Sequence, residues 1–304
     1  NYMNKVVIDC KGLSKRYGSS STYALTDLSI QVNQGEVYGF LGPNGAGKST
    51  AIRTLMNFIQ PTSGQATIIG LDIVKDSVEI KKQVGYLSGD LSMYTKLTGE
   101  QFLDYVQELQ TIESQSYRDD LVEQLKVDLS KPLGDLSRGN RQKVGIVQAF
   151  MHKPAVLILD EPTSGLDPLM QEVFYELLRE STQRGAAVFA SSHILGEVQR
   201  MCDRVGIIRD GKLVAERRIA DMTKEAAQTF DITFADKAPI ASLKKINGVK
   251  DVTQRGPVVT LHINGELAPL FSLLSKHHVS KIDTRNLDLE EVFLRFYEEE
   301  GGSK

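Results

Sequence analysis

Short uninterrupted apolar runs alternate with longer stretches of helical spacing through the first two-thirds of the chain. "EVYGFLG" (Glu36–Gly42), "AVLIL" (Ala155–Leu159) and "AAVFASS" read as strands, the first and second short enough to lie wholly inside a sheet. Between them "KSTAIRTLMNFI" places Ile52, Leu55, Met56 and Ile59 at i, i+3, i+4 and i+7, which predicts a helix over Lys48–Ile59 that "PTSG" stops. "VGIIRDGKLVAE" (Val205–Glu216) predicts a hairpin turned at Asp210-Gly211, because that pair readily takes positive φ. Strands alternating with helices imply an α/β sheet with helical cover.

Beyond about Met222 the pattern changes. "FDITFA", "PIASLKKI", "VKDVTQR", "PVVTLHIN", "APLFSLLSKHH" and "VSKIDTR" read as β, α, β, β, α, β, the order of a ferredoxin-like α+β unit. A last helix is predicted over Asp288–Glu299, capped by Asp288 with Glu291 three residues on. Its stripe Leu289, Val292, Phe293, Phe296 and Tyr297 needs a surface to pack on, while "EEEGGSK" reads as a disordered tail.

Composition narrows the classes. The chain has 304 residues, 41% hydrophobic and 25% charged, enough for two domains with sizeable cores. A formal net charge of −3, with basic and acidic residues interspersed, gives no nucleic-acid footprint. No apolar run approaches the ~18 residues that span a bilayer, so any service to a membrane runs through a partner. Cys10 and Cys202 stand far apart without a CxxC partner and read as reduced thiols of a cytosol-like compartment. The start has no secretory pattern, and Asn1-Tyr2 ahead of Met3 reads as a cloning remnant.

The chemistry enters with "GPNGAGKST": Gly42, Pro43, Asn44, Gly45, Ala46, Gly47, Lys48, Ser49 and Thr50. Lying between a predicted strand and a predicted helix, it fits a phosphate-binding loop. Glycines let backbone N–H groups wrap a phosphate chain, and the helix N-terminus adds partial positive charge. Lys48 is positioned to neutralise β/γ-phosphates and Ser49 to offer an oxygen to Mg²⁺. Asp160 ends the run "VLILD" at the carboxyl edge of its strand, where open α/β sheets bind ligands, and reads as a second Mg²⁺ holder. Glu161 follows it and is suited to polarise an attacking water. A further polar turn, "LSRGN" (Leu136–Asn140), sits at a predicted helix start, a second anion-binding turn in a chain that already has one.

With those residues in hand, roughly residues 5–220 resemble the ATPase subunit of an ATP-binding-cassette (ABC) transporter. "GPNGAGKST" looks like Walker A, and "VLILDEP" like Walker B with Glu161 as the catalytic glutamate. "SGLD" (Ser164–Asp167) is similar to the D-loop, with Asp167 closing it. His193 matches the switch histidine that contacts the γ-phosphate, and Tyr17 in "LSKRYG" the aromatic residue that stacks on adenine. "LSRGN" stands where the family writes LSGGQ; Ser137 and Gly139 keep the phosphate-approaching parts, whereas Arg138 and Asn140 depart. The stretch "SRGNRQK" is similar to the variant in bacterial exporters of drugs, antibiotics and polysaccharides. In "VGYLSGDLSMY" the family's metal-contacting glutamine is replaced by Gly89. Either Asp90 takes over that contact through a shifted loop, or the contact is lost and only the mechanical link to the membrane subunit remains.

The resemblance implies a P-loop ABC cassette over residues 1–222, a mixed sheet with a helical subdomain at about 87–153, followed by the small βαββαβ-plus-helix domain at 229–304. It implies ATP and Mg²⁺ as ligands and a homodimer or heterodimer of cassettes that sandwiches two ATP molecules. Each nucleotide lies on one chain's phosphate loop and under the other chain's signature residues Ser137, Arg138, Gly139 and Asn140. It further implies separate integral-membrane permease subunits, a place at the cytoplasmic face of a bacterial cell membrane, and export as the task. The competing reading is a soluble ABC ATPase of cofactor assembly or another cytosolic process. A DNA-repair type is disfavoured, because only about 85 residues separate Thr50 from Leu136 and no heptad run is sustained. The C-terminal domain reads either as a buttress of the cassette dimer or as a sensing element.

Overall fold

The computed structural model describes residues 5–18, 22–89, 94–110, 116–225 and 228–285. Its contacts divide the chain into two compact units, Asn1–Arg217 and Arg218–Lys304. The predicted last helix at 288–299, the tail and Asp90 lie outside the described residues.

Two sheets build the first unit. The smaller pairs β1 (Val6–Arg16) antiparallel with β2 (Tyr23–Asn33) and with β4 (Ser63–Ile68), and β5 (Leu71–Asp72) closes the order β2-β1-β4-β5. The larger runs β10-β9-β3-β8-β7-β6. Its members are β3 (Val37–Leu41), β6 (Val84–Leu87), β7 (Val156–Asp160), β8 (Ala187–Ser192), β9 (Arg204–Arg209) and β10 (Lys212–Arg218). Every residue of β3, β7 and β8 is buried, the reason these strands read as unbroken apolar runs rather than alternating ones. Phe189 of β8 ties the layer together, stacking on Tyr38 at 5.9 Å and meeting Phe40 at 5.3 Å between ring centroids. Between β9 and β10, Asp210 and Gly211 both take positive φ (49° and 77°), as a two-residue hairpin turn requires.

The parallel register positions the site. Leu41 pairs with Ser192 and Asp160 with Ser191, so the carboxyl ends of β3, β8 and β7 lie side by side. The residues that follow those ends (Gly42, His193 and Glu161) are therefore neighbours despite their separation in sequence.

Helix α1 (Lys48–Leu55) stops four residues before the predicted end. Asn57 adopts φ 51°, the Asn57 N–H donates to Thr54 O and the Phe58 N–H to Arg53 O. That is a Schellman cap with asparagine in place of glycine, so the apolar spacing continues to Ile59 after the helix has ended. After α2 (Ser77–Gln83) come α3 (Gly99–Gln110), α4 (Ser116–Leu125) and α5 (Arg138–Phe150). The buried Arg118 of α4 is held by Glu100 and Asp104 of α3, the latter at 2.6 Å, which clamps the two helices. Helices α6 (Pro168–Gln183) and α7 (Leu195–Met201) follow β7 and β8.

The second unit opens with α8 (Ile219–Glu225). Then follow β11 (Gln228–Phe234), α9 (Ile240–Leu243), β12 (Val249–Arg255), β13 (Val258–Ile263), α10 (Ala268–Leu274) and β14 (Val279–Arg285). All six elements read from the sequence are present, and their strands pair antiparallel in the order β12-β13-β11-β14. Phe230, Ile232, Val259, Leu261, Leu243 and Leu270 form a core of the unit's own.

Candidate active site

The phosphate loop leaves β3 at Leu41 and enters α1 at Lys48. The Gly42 N–H donates to Ser192 O at 3.2 Å, and the Gly211 N–H donates to Ala46 O at 2.9 Å, so both limbs are anchored to neighbouring strands. Gly47 caps α1 at φ 108°, and a Cβ there would lie 2.6 Å from Ala24 O, so only glycine fits. Pro43, Asn44, Gly45 and Ser49 are exposed along the loop. Lys48, 5% exposed, donates to Gly42 O (2.8 Å) and Pro43 O (3.1 Å) and lies 3.6 Å from Glu161 Oε1. Its ammonium is thus held at the mouth of its own loop.

Beyond β7, Asp160 and Glu161 diverge. The Asp160 carboxylate is buried and accepts a 2.6 Å bond from Ser191 Oγ. Ser191, fully buried on β8, also accepts the Glu161 N–H at 3.1 Å. Glu161 takes φ 48°, a left-handed conformation that costs a non-glycine residue about 1–3 kcal/mol. The turn recovers this through hydrogen bonds worth about 0.5–1.5 kcal/mol each. One is the Ser191 bond; the others come from Gln142 Nε2, which donates to Pro162 O at 2.8 Å and lies 3.3 Å from Glu161 O. The strained backbone turns the Glu161 carboxylate toward the loop, where Oε1 also lies 3.0 Å from His193 Nδ1.

Lys48, Asp160, Glu161 and His193 are therefore brought together by adjacent strand ends. Tyr17 stands near the end of the loop: its hydroxyl is 3.4 Å from Thr50 Oγ1, the residue is 45% exposed, and Lys15 Nζ lies over its ring at 5.5 Å from the centroid. Asp167 accepts the Met170 N–H at 3.0 Å as the cap of α6.

The "LSRGN" residues form the start of α5. Ser137 caps α5, accepting the Asn140 N–H at 3.3 Å, and is exposed at the helix N-terminus. Arg138 Nη2 donates to Ser164 Oγ at 2.7 Å. A Cβ on Gly139 would run into Gly165 O, so the helix start rests on the 164–167 turn with no room for a side chain. The arginine that departs from the common pattern thus has a defined partner within the chain.

The donor set suits Mg²⁺. Among the described residues no cluster of three or more His, Cys, Asp or Glu side chains forms a metal cage. Mg²⁺ is commonly held by one or two carboxylates with substrate phosphates, and Asp160 with the Ser49 hydroxyl offers that chemistry. Gly89 passes close by: a Cβ there would lie 3.8 Å from Asp160 Oδ2, but glycine supplies no ligand.

Sequence motifs did not mark a groove of about 480 Å³ beside Ser88, with Phe58, Tyr86, Tyr94, Tyr105 and Leu109 among its lining. Phe58 and Leu109 are 50% and 66% exposed. Gln142, although inside "SRGNRQK", and Ser191 carry no role in the motif reading, because only the fold brings them to the Glu161 turn.

Comparison with known proteins identifies the family. The family model described as ABC transporter matches residues 25–164. The bacitracin transport ATP-binding protein of Bacillus licheniformis is 37% identical over 237 residues, covering 76% of this chain and 76% of that protein. The probable multidrug ABC transporter ATP-binding protein of Escherichia coli (strain K12) is 33% identical over 73% of this chain, but the match spans only 39% of that longer protein. Among solved structures, an ATP binding subunit of an ABC transporter aligns with a TM-score of 0.66 and 30% identity, over 72% of this chain and 92% of that one. A dimeric bacterial ABC transporter cassette shares the fold at a TM-score of 0.64 and 21% identity, over 70% and 98%. The chain belongs to the ABC transporter family, as one of its ATP-binding, ATP-hydrolysing subunits.

Proposed function

We propose that this ATPase powers a membrane exporter through ATP-driven pairing of two cassettes, residues 1–222 forming the cassette and 229–304 an added domain. The observation that carries the reading is the meeting of Lys48 and His193 at one oxygen of Glu161 beside the phosphate loop. In this reading the loop's N–H groups and Lys48 hold the β- and γ-phosphates, and Tyr17 stacks on the adenine. Glu161 orients the attacking water, and His193 holds Glu161 in place while reaching the γ-phosphate. Ser49 and Asp160 would hold Mg²⁺, which when bound would neutralise charge at the phosphates.

Ser137, exposed on the N-terminus of α5, is the donor offered to the nucleotide of a second cassette, identical or homologous. Two apolar side chains next to the same motifs support such pairing: Leu169 after Asp167 and Ile194 after His193 are 75% and 45% exposed. ATP touching both halves favours the closed pair by its differential affinity.

Among the described residues no helix is long and apolar enough to cross a membrane; in this reading the translocation path lies in separate permease subunits, as the family implies. The aromatic groove beside Ser88 is the surface we assign to their cytoplasmic segments, and in this reading the chain works at the cytoplasmic face of the membrane. Affinity capture of the tagged chain from detergent-solubilised membranes tests this. Recovery of multi-span membrane proteins is expected; a purely cytosolic partner set contradicts export and favours the cofactor-assembly reading.

A further inference from the structure

We infer that Gln142 is a positioning residue for hydrolysis, the link through which the helix bearing Ser137 sets the Glu161 carboxylate of the same chain. The inference rests on the reading of Glu161 as the residue that orients water. Gln142 is 6% exposed, and its amide nitrogen faces two consecutive carbonyls, Pro162 O at 2.8 Å and Glu161 O at 3.3 Å. Holding both carbonyls fixes the peptide planes on either side of Pro162. Glu161 lies in left-handed backbone, and its N–H is held from the opposite side by Ser191. The direction in which its side chain leaves the turn is therefore set by two clamps, one on β8 and one on α5.

The α5 clamp carries the consequence. Gln142 lies five residues beyond the Ser137 cap, on a helix whose first turn is already seated on the following residues of the same loop. Arg138 bonds Ser164 at 2.7 Å, and Gly139 lies against Gly165. The start of α5 and the 161–165 turn thus move together. Ser137 is offered to one nucleotide while Glu161 faces the chain's own phosphate loop, so a shift of α5 on seating the first is passed through Gln142 to the second. In a pair of cassettes this makes the two half-sites of each chain interdependent without any contact between the nucleotides.

Gln142→Leu removes both donated bonds and keeps a similar volume. Expected is a fall in kcat of at least about tenfold, with KM and ATP affinity within about threefold of the unaltered chain, since the clamp acts on the water-orienting group and not on nucleotide binding. The decisive arm is a double-mutant cycle with Glu161→Gln, read as single-turnover phosphate release from the full-length chain. Once the carboxylate is gone, adding Gln142→Leu is expected to change the residual rate by less than about twofold. An unchanged kcat in the single variant overturns the inference. So does an equal fall in both backgrounds, which marks a merely structural role. If Glu161→Gln alone turns over at the unaltered rate, the Glu161 reading itself fails, and the inference with it. Thermal melting checks each chain, and Gln142→Glu, of the same shape but without donors, carries the same expectations if the leucine variant melts early.

Discussion

His193 Nδ1 and Glu161 Oε1 lie 3.0 Å apart, the same carboxylate oxygen that Lys48 approaches at 3.6 Å. His193 therefore holds the Glu161 carboxylate from the end of β8 while the Lys48 ammonium holds it from the loop, and in the proposed reading that carboxylate orients the attacking water. His193→Ala is expected to lower ATP turnover on the order of 10²-fold, the usual loss when one preorganised donor is removed. ATP affinity should stay within a few-fold, because the phosphate loop is untouched. Steady-state hydrolysis together with equilibrium binding of a non-hydrolysable analogue checks both halves.

The aromatic groove separates a docking role from a catalytic one. Leu109, on α3, is 66% exposed, and Phe58 meets the Tyr86 ring at 5.2 Å in the same lining. Leu109→Glu adds a charge at a solvent-facing position, so stability should shift by no more than about 0.5 kcal/mol. The isolated chain should hydrolyse ATP as before, while recovery of membrane subunits falls. Undiminished recovery would assign the partner surface elsewhere.

His152, just beyond α5, gives the cassette an acid-sensitive point. Burial pushes its imidazole from the usual 6.5 down to about 4, with the backbone at Val84 pulling weakly the other way. The unfolded chain then binds a proton between those values that the folded chain does not. Stability from neutral His152 is present above about pH 6.5 and is lost as pH falls from there toward 4. Urea unfolding between pH 7.5 and 4.5 should show a shallower decline in His152→Leu than in the unaltered chain. Parallel declines would refute the assignment.

Much of this arrangement is legible along the chain because burial leaves a pattern. The strands β3, β7 and β8 are apolar at nearly every position, and the residues at their carboxyl ends carry the recognisable chemistry. Six elements of the second unit, from β11 to β14, are spelled out by alternation and turn residues in the same way. Periodicity fails where backbone geometry overrides it, as at Asn57, whose left-handed turn ends α1 although apolar spacing runs on. It is also silent about Gln142 and Ser191, polar residues whose partners lie about twenty and thirty positions away; the β7–β8 register brings Ser191 to its partner, and the seating of α5 on the 161–165 turn brings Gln142 to its own. Arg138 reads as a departure from a pattern until its Ser164 partner is seen.

The central claim is that Ser137 serves another chain's nucleotide, which makes this chain two half-sites rather than one site. Measuring ATP binding and ATP turnover on the Ser137→Arg chain tests it most directly. The monomer is expected to bind ATP with nearly unaltered affinity while turnover falls at least about 10²-fold, as loss of a transition-state donor compounded by a blocked interface demands. Turnover at the unaltered level, or loss of ATP binding by the monomer, would contradict it.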